Sequence, residues 1–179
     1  MKKTIFIVAL ILMGLSLSSG LSAQDRFQTS ERFGGTLNLG LGIGGYSYRY
    51  IGHSLPVLSV NYEFDVARNF TLAPFLTFYS YTDGYYNAIV TPIGVKGTYY
   101  FDQLFHAGSH WDFYAAGSLG FNLVSTTWNA GYLGDRNYYT SADPLYLDFH
   151  LGTEYHFSNH IGAFLDLSTG VSTIGIAIH

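Results

Sequence analysis

Apolar and small or polar residues alternate with a period of two in eight separate segments of this 179-residue chain. Successive side chains of a β-strand point to opposite faces, so the alternation indicates strands with one apolar face. The predicted strands are 36–44, 58–66, 70–81, 91–101, 111–123, 145–157, 161–168 and 173–179. In 70–81 both faces are mixed, so the sequence leaves the register of that strand open. The pattern predicts an all-β fold.

The first 23 residues have a different character. Lys2 and Lys3 precede an apolar run, 4–17, which is followed by small residues up to Ala23. This order is typical of a secretory signal peptide. We therefore predict a secretory signal peptide in 1–23.

The composition limits the possible functions. After the signal, twelve acidic residues stand against six basic ones and no basic patch is visible, so nothing supports nucleic-acid binding. The chain has no cysteine, which excludes disulfides and thiolate metal sites. Charged residues make up 11 % of the chain, against about 25 % in soluble domains, and aromatic residues make up 18 %. An unusual soluble β protein and a membrane barrel are the two options.

The chemistry of the two strand faces favours the membrane barrel. A soluble barrel shows a charged face to water, yet the polar face here is mostly Gly, Ser, Thr, Asn and Tyr. The apolar face gathers aromatic residues near strand ends, as the interfacial girdles of membrane barrels do. These aromatic pairs are Tyr62 and Phe64, Tyr99 and Phe101, Trp111 and Phe113, and Tyr155 and Phe157. We predict an eight-stranded antiparallel transmembrane β-barrel with a filled interior and periplasmic termini. The barrel domain is predicted to span 34–179, after a polar periplasmic lead in 24–33.

The connectors between the predicted strands alternate in length. Long connectors at 47–56, 82–88 and 126–144 are predicted to be extracellular, because outer-membrane barrels carry their longer loops outside. The connectors 102–110 and 169–172 fit this rule poorly. Exposed Tyr and Trp favour contacts with sugars, lipopolysaccharide or protein partners. The alternative is an interfacial girdle or an ordered loop with no ligand. The candidate loop contacts are Tyr48, Tyr50, Trp128, Tyr132, Tyr138 and Tyr139.

One face of segment 145–157 concentrates ionisable residues. Two carboxylates and two imidazoles alternate there with apolar residues. We expect them to line the barrel with charged residues of the other strands, and buried charges need partners. The predicted interior cluster is Glu63, Asp65, Lys96, Asp112, Asp148, His150, Glu154, His156 and Asp166. His150 and Glu154 lie about 13 Å apart along a strand, too far to share an ion without help from other strands, so we predict no metal site and no cofactor.

Three sequence blocks resemble a known family. GVKGTYYF (94–101), WDFYAAGSLGFNL (111–123) and EYHFSNHIGAFLDLSTG (154–170) resemble the small outer-membrane barrels of Gram-negative bacteria, the outer-membrane protein X and A group. Their pattern of alternation and aromatic placement is most similar to that of porin-family "outer membrane protein beta-barrel" domains. The resemblance implies outer-membrane lipid, lipopolysaccharide and the barrel-assembly machinery as partners. Such families usually end in Phe or Trp, which that machinery recognises, whereas this chain ends in His179.

The block His156-Phe157-Ser158-Asn159 is similar to the His-x-Ser-Asn signature of outer-membrane lipid A deacylases. That resemblance implies Ser158 as nucleophile and His156 as base. The alternative is a tight turn, where Ser and Asn are favoured, and the acid of that signature would fall on Gly170. We predict a non-enzymatic outer-membrane barrel with a structural or surface-interaction role through its loops. A lipid A-modifying enzyme and a narrow small-solute channel are the alternatives.

Overall fold

The computed structural model describes residues 33–44, 56–83, 85–101, 110–129 and 144–179, and the predicted signal peptide lies outside them. Nine β-strand segments fall within these ranges: β1 Leu37–Gly44, β2 Val57–Tyr62, β3 Phe64–Ala67, β4 Phe70–Asp83, β5 Tyr86–Tyr100, β6 Trp111–Trp128, β7 Leu145–Ser158, β8 Ile161–Ser168 and β9 Val171–Ile178. In the same ranges, no helix has the length and apolar character needed to cross a bilayer.

The nine segments close into an eight-stranded antiparallel barrel. Apart from β2 and β3, neighbours in sequence pair with each other, and β1 pairs with β9 from Leu37↔Ile178 to Gly44↔Val171. Both β2 and β3 pair with β4, so together they form one barrel strand that is interrupted at Glu63. The predicted fold class is therefore confirmed. Closure also leaves every strand with two hydrogen-bonded neighbours, as lipid requires.

The alternating residues take the faces that the sequence predicted. Large apolar side chains point outward, and Leu119, for example, is 58 % exposed. Small and polar side chains point inward and are mostly buried. The structure also sets the register of β4, which the sequence left open. Thr71, Ala73 and Thr77 are buried inside the barrel, whereas Leu72 and Phe78 are exposed outside.

The aromatic residues at the strand ends gather at one end of the barrel. Tyr62 packs on Phe64 at 4.8 Å between ring centroids. On the far side of the barrel, Tyr155 lies 4.8 Å from Trp111 and 5.3 Å from Phe157. These residues lie at the end that carries the turns 68–69 and 159–160, which we call the turn end. The opposite end is called the loop end. The observed rings form one belt at the turn end.

Several predicted connectors are wrong in their limits. The loop predicted at 82–88 is a hairpin, because Asp83 pairs with Tyr86. The two residues between them are Gly84 and Tyr85, and Gly is favoured at the first position of a two-residue hairpin loop. The loop predicted at 126–144 starts later, because β6 continues to Trp128, which pairs with Tyr86. The connector predicted at 169–172 is also shorter, because β9 starts at Val171.

Residues assigned to the periplasmic lead contribute to the turn end. Phe33 is 4 % exposed and stacks on Tyr100, with ring centroids 4.0 Å apart and planes 7° apart. The Asp65 carboxylate accepts hydrogen bonds from the Phe33 N–H at 3.3 Å and the Gly34 N–H at 2.9 Å. Phe33 therefore belongs to the barrel packing rather than to a solvated lead.

Candidate functional site

The charged side chains of the barrel interior form the candidate site. Six of the nine predicted interior residues are at most 7 % exposed: Glu63, Lys96, Asp112, Asp148, Glu154 and Asp166. His150 and His156 are half-buried, and Asp65 is exposed at the turn end. The inward face of each strand fixes where these groups point, and the strand pairing decides which of them meet.

A central group surrounds Asp166 of β8. Its carboxylate accepts hydrogen bonds from Lys96 Nζ at 2.5 Å and from the Tyr114 hydroxyl at 3.1 Å. His150 Nδ1 lies 2.7 Å from the other carboxylate oxygen, and Ser118 Oγ lies 2.8 Å from His150 Nε2. The group joins β5, β6, β7 and β8 across the lumen. Lys96 compensates the charge of Asp166, which a buried carboxylate requires.

Neutral donors hold Glu63 where β2 and β3 meet. Asn38 Nδ2 donates to one carboxylate oxygen at 2.8 Å. The hydroxyls of Thr71 and Tyr100 donate to the other at 2.5 and 2.8 Å. Hydrogen bonds to a charged acceptor are about twice as strong as neutral ones, so three of them stabilise this buried carboxylate. The sequence did not predict these donors, because each lies on a different strand.

Asp148 anchors the connection between β8 and β9 at the loop end. It is fully buried. One oxygen accepts the Thr169 hydroxyl and the Gly170 N–H, both at 2.7 Å. The other accepts the Tyr146 hydroxyl at 3.0 Å and the Val171 N–H at 3.3 Å. These contacts give Asp148 a structural role, since a carboxylate satisfies the otherwise unpaired N–H groups of the turn.

Another group of ionisable residues lies at the turn end. His156 Nε2 of β7 is 2.8 Å from Asp112 Oδ2 of β6. His179 Nε2, just after β9, is 2.8 Å from Glu154 Oε1 of β7. The two imidazole centroids are 4.9 Å apart. His179 Nδ1 also lies 2.9 Å from Thr36 Oγ1, so this group connects both ends of the described barrel chain.

Large side chains fill the lumen beside small ones. A Cβ added at Gly152 would lie 2.2 Å from Tyr114 Cζ, so Tyr114 fits only beside a glycine there. A Cβ at Gly175 would lie 2.6 Å from Phe164 Cζ for the same reason. A cavity with about 40 Å³ open to water remains between Lys96 and its neighbours. At about 10–15 Å³ for each water position, this space holds a few waters.

The Ser158 hydroxyl closes the turn between β7 and β8. Its oxygen accepts hydrogen bonds from the backbone N–H groups of His160 at 3.3 Å and Ile161 at 3.2 Å. The pairing of β7 with β8 also shifts between His156 and Ser158. These contacts match the turn interpretation of the His-x-Ser-Asn block, and His156 is directed at Asp112 instead.

The candidate loop contacts are only partly described. Trp128 belongs to the inward face of β6 and packs on Tyr86, with ring centroids 5.2 Å apart, so its prediction as a loop residue is wrong. The alternation extends past Leu123 through Val124 and Thr126, but the polar residues there masked it. The other candidates, Tyr48, Tyr50, Tyr132, Tyr138 and Tyr139, lie outside the described residues.

No protein-family profile and no curated protein matches this sequence. Solved structures with a similar fold include Neisserial surface protein A, with 16 % identity, a TM-score of 0.49 and coverage of 80 % of this chain and 92 % of that chain. The N-terminal β-barrel domain of Pseudomonas aeruginosa OprF has 10 % identity and a TM-score of 0.45, with coverage of 81 % of this chain and 97 % of that chain. The attachment invasion locus protein Ail of Yersinia pestis has 8 % identity and a TM-score of 0.41, with coverage of 81 % of this chain and 98 % of that chain. At these identities the chain resembles them in fold alone.

Proposed function

We propose that the protein is a non-enzymatic outer-membrane β-barrel whose closed body holds extracellular loops for structural or surface interactions. The observation that carries this proposal is the placement of the apolar and charged side chains, which is the reverse of that in a soluble protein. Large apolar side chains cover the outside of the barrel, while bonded charges occupy the inside. Water would solvate the charges and exclude the apolar surface, whereas lipid favours this arrangement.

The outer surface supports immersion in lipid. Among the residues that the structure describes, twenty-eight large hydrophobic side chains are more than about a third exposed, and they occur on every strand segment. Soluble monomers rarely expose apolar patches larger than a few hundred Å². The aromatic belt at the turn end matches the position of a bilayer interface.

The inner groups support a scaffold more than a channel. Tyr114, Lys96 and Asp166 meet across the lumen, and Phe164 lies against Gly175 of β9 and Gly40 of β1. A solute would have to break these hydrogen bonds in order to pass. Eight-stranded barrels have room inside for side chains and little else.

Cell fractionation with electrophoresis tests the membrane proposal. The protein should be recovered in the outer-membrane fraction and should migrate differently before and after boiling in SDS. As a control, a variant without 171–179 lacks β9, cannot close the barrel and should lose the heat-dependent shift. Recovery of the full chain in the soluble periplasm would contradict the proposal.

Recognition is proposed to reside in the segments 47–56 and 129–144. Binding residues concentrate on loops that a rigid scaffold holds. Replacing 130–139 by a Gly-Ser linker should keep the heat-dependent shift, because β6 ends at Trp128 and β7 begins at Leu145. It should abolish binding to lipopolysaccharide, a glycan or a protein partner. A length-preserving control, with Tyr132, Tyr138 and Tyr139 replaced by Ser, separates aromatic contacts from loop length.

Mass spectrometry of lipid A tests the enzymatic alternative. Expression of the protein should leave the acyl chains of lipid A unchanged. Ser158→Ala should behave like the wild type in this assay, because Ser158 is engaged by the turn. A lost acyl chain that depends on Ser158 would overturn the non-enzymatic assignment.

A further inference from the structure

We propose that Glu154, His156 and His179 form a binding site for a divalent transition metal of the zinc class at the turn end of the barrel. The inference goes beyond the proposed function, since a scaffold with loops needs no metal. It also departs from the sequence prediction of no metal site, which considered ligands on β7 alone. The third ligand, His179, reaches Glu154 from the end of β9.

The three ligand atoms are close enough for one ion. Glu154 Oε1 lies 2.8 Å from His179 Nε2 and 3.9 Å from His156 Nδ1. Each of the three residues offers one ligand atom that lies within 4.8 Å of those of the other two. Nitrogen and oxygen ligands bind zinc at about 2.0–2.2 Å in tetrahedral geometry, which separates neighbouring ligand atoms by about 3.3 Å. Changes of about 0.5 to 1.5 Å in these separations would adapt them to an ion with ligands about 3.3 Å apart.

Partners behind the ligands orient the two imidazoles. The Thr36 hydroxyl donates a hydrogen bond to the Phe33 carbonyl at 2.8 Å. Its oxygen therefore accepts a hydrogen bond from the N–H at His179 Nδ1, 2.9 Å away. The Asp112 carboxylate accepts the proton of His156 Nε2. Metal-ligating histidines almost always donate their second N–H to such an acceptor, which fixes the tautomer.

With these hydrogen bonds in place, a positive charge is needed between the two imidazoles and the Glu154 carboxylate. In the neutral tautomer, His179 Nε2 presents a lone pair to the Glu154 carboxylate, as does His156 Nδ1 from a greater distance. Lone pairs and a carboxylate repel one another unless a proton or a metal cation lies between them. A divalent ion bound by all three atoms supplies that charge at once, and imidazole with carboxylate suits zinc.

Small residues leave the required space. β8 lies between β7 and β9, and its inward residue Gly162 pairs with His156. A Cβ at Gly162 would lie 2.3 Å from Glu154 Oε1. The side chains of His156 and His179 are 20 % and 19 % exposed, so an ion can reach the site from the turn end. Three protein ligands also leave a fourth position for water.

Calorimetric titration of untagged, detergent-folded protein with Zn²⁺ tests the site. The wild type should bind one ion per chain. Glu154→Gln, His156→Gln and His179→Gln should each weaken binding at least about tenfold, and Thr36→Val, which removes the acceptor behind His179, should weaken it by about tenfold as well. The control His110→Gln removes an exposed histidine from the same end of the barrel and should bind like the wild type.

Two further readouts keep the test independent of folding. Every variant should retain the heat-dependent shift in SDS, which shows that its barrel is closed. Co²⁺ in place of Zn²⁺ should give the visible absorption of a tetrahedral ion, lost in His179→Gln. A closed wild-type barrel that binds no ion, or variants that bind as tightly as the wild type, would overturn the metal site. That result would leave the membrane proposal intact.

Discussion

Lys96 is the one lysine of the chain beyond its first 23 residues, and it points into the barrel. Its ammonium group pairs with Asp166 and lies 5.1 Å from the centre of the Tyr114 ring. The cation is therefore held by a charge and by an aromatic face. Such a pair gives little net stability over an apolar one, but the loss of one partner leaves an uncompensated charge.

Lys96→Met should lower the free energy of unfolding by about 3–5 kcal/mol, because it leaves the buried Asp166 without its cation. Urea unfolding in lipid vesicles, followed by tryptophan fluorescence, measures the change. The double variant Lys96→Met with Asp166→Asn should recover part of the loss, since it removes both charges. A single variant as stable as the wild type would show that Asp166 does not need Lys96.

Asn69 is the one described non-glycine residue with a positive φ, 57°. It closes the two-residue turn between β3 and β4, and Asn tolerates this left-handed conformation better than most residues. Asn69→Ala should lower the free energy of unfolding by about 1 kcal/mol. Asn69→Gly, which adopts positive φ without strain, should stay near the wild type in the same urea titration. Equal stability of all three proteins would argue against strain at this turn.

At the scale of the strand, position along the outer face determines how a charge is tolerated. Leu119 lies in the middle of β6 and is 58 % exposed, whereas Ile161 begins β8 at the turn end. Leu119→Arg should cost about 2–4 kcal/mol, while Ile161→Arg, near an interface, should cost about 0–1 kcal/mol. Unfolding in lipid vesicles measures both. Equal costs would mean that the bilayer is not centred near Leu119.

The sequence predicted the faces of the strands better than their ends. Side chains alternate strictly, so one exposed apolar residue fixes the face of all its neighbours in a strand. The ends were wrong where the pairing continues but apolar and polar residues no longer alternate. In Tyr86–Val90 the inward residues Ala88 and Val90 are apolar, and in Ser125–Trp128 the outward residues are polar. Backbone hydrogen bonds do not depend on the side chains, so the strands extend beyond the segments in which apolar and polar residues alternate.

The sequence predicted the inward charges but not their partners. His150 and Asp166 meet because β7 and β8 are neighbours with a fixed stagger, and Lys96 reaches Asp166 from across the lumen. Period-two alternation contains no information about contacts across a barrel. The closeness of His179 to Glu154 was hidden for the same reason, although the alternation already placed His179 on the inner face.

At the scale of the whole molecule, the filled lumen predicts low conductance. The purified protein should form no steady channel in a planar bilayer, because Tyr114, Phe164 and the central charged group occupy the interior. A large porin recorded under the same conditions serves as the positive control. Stable, stepwise currents from the folded protein would contradict this packing and would support the small-solute channel.

The pairing of β1 with β9 has a kinetic consequence. The residues that this seam joins are separated by on the order of 130 positions in the chain, so its hydrogen bonds form after the intervening strands have paired. A barrel that stops short of this step exposes two unpaired edges to acyl chains, where each unpaired backbone group costs several kcal/mol. Assembly should therefore be all-or-none, and damaging substitutions should reduce the number of finished barrels rather than yield half-open ones.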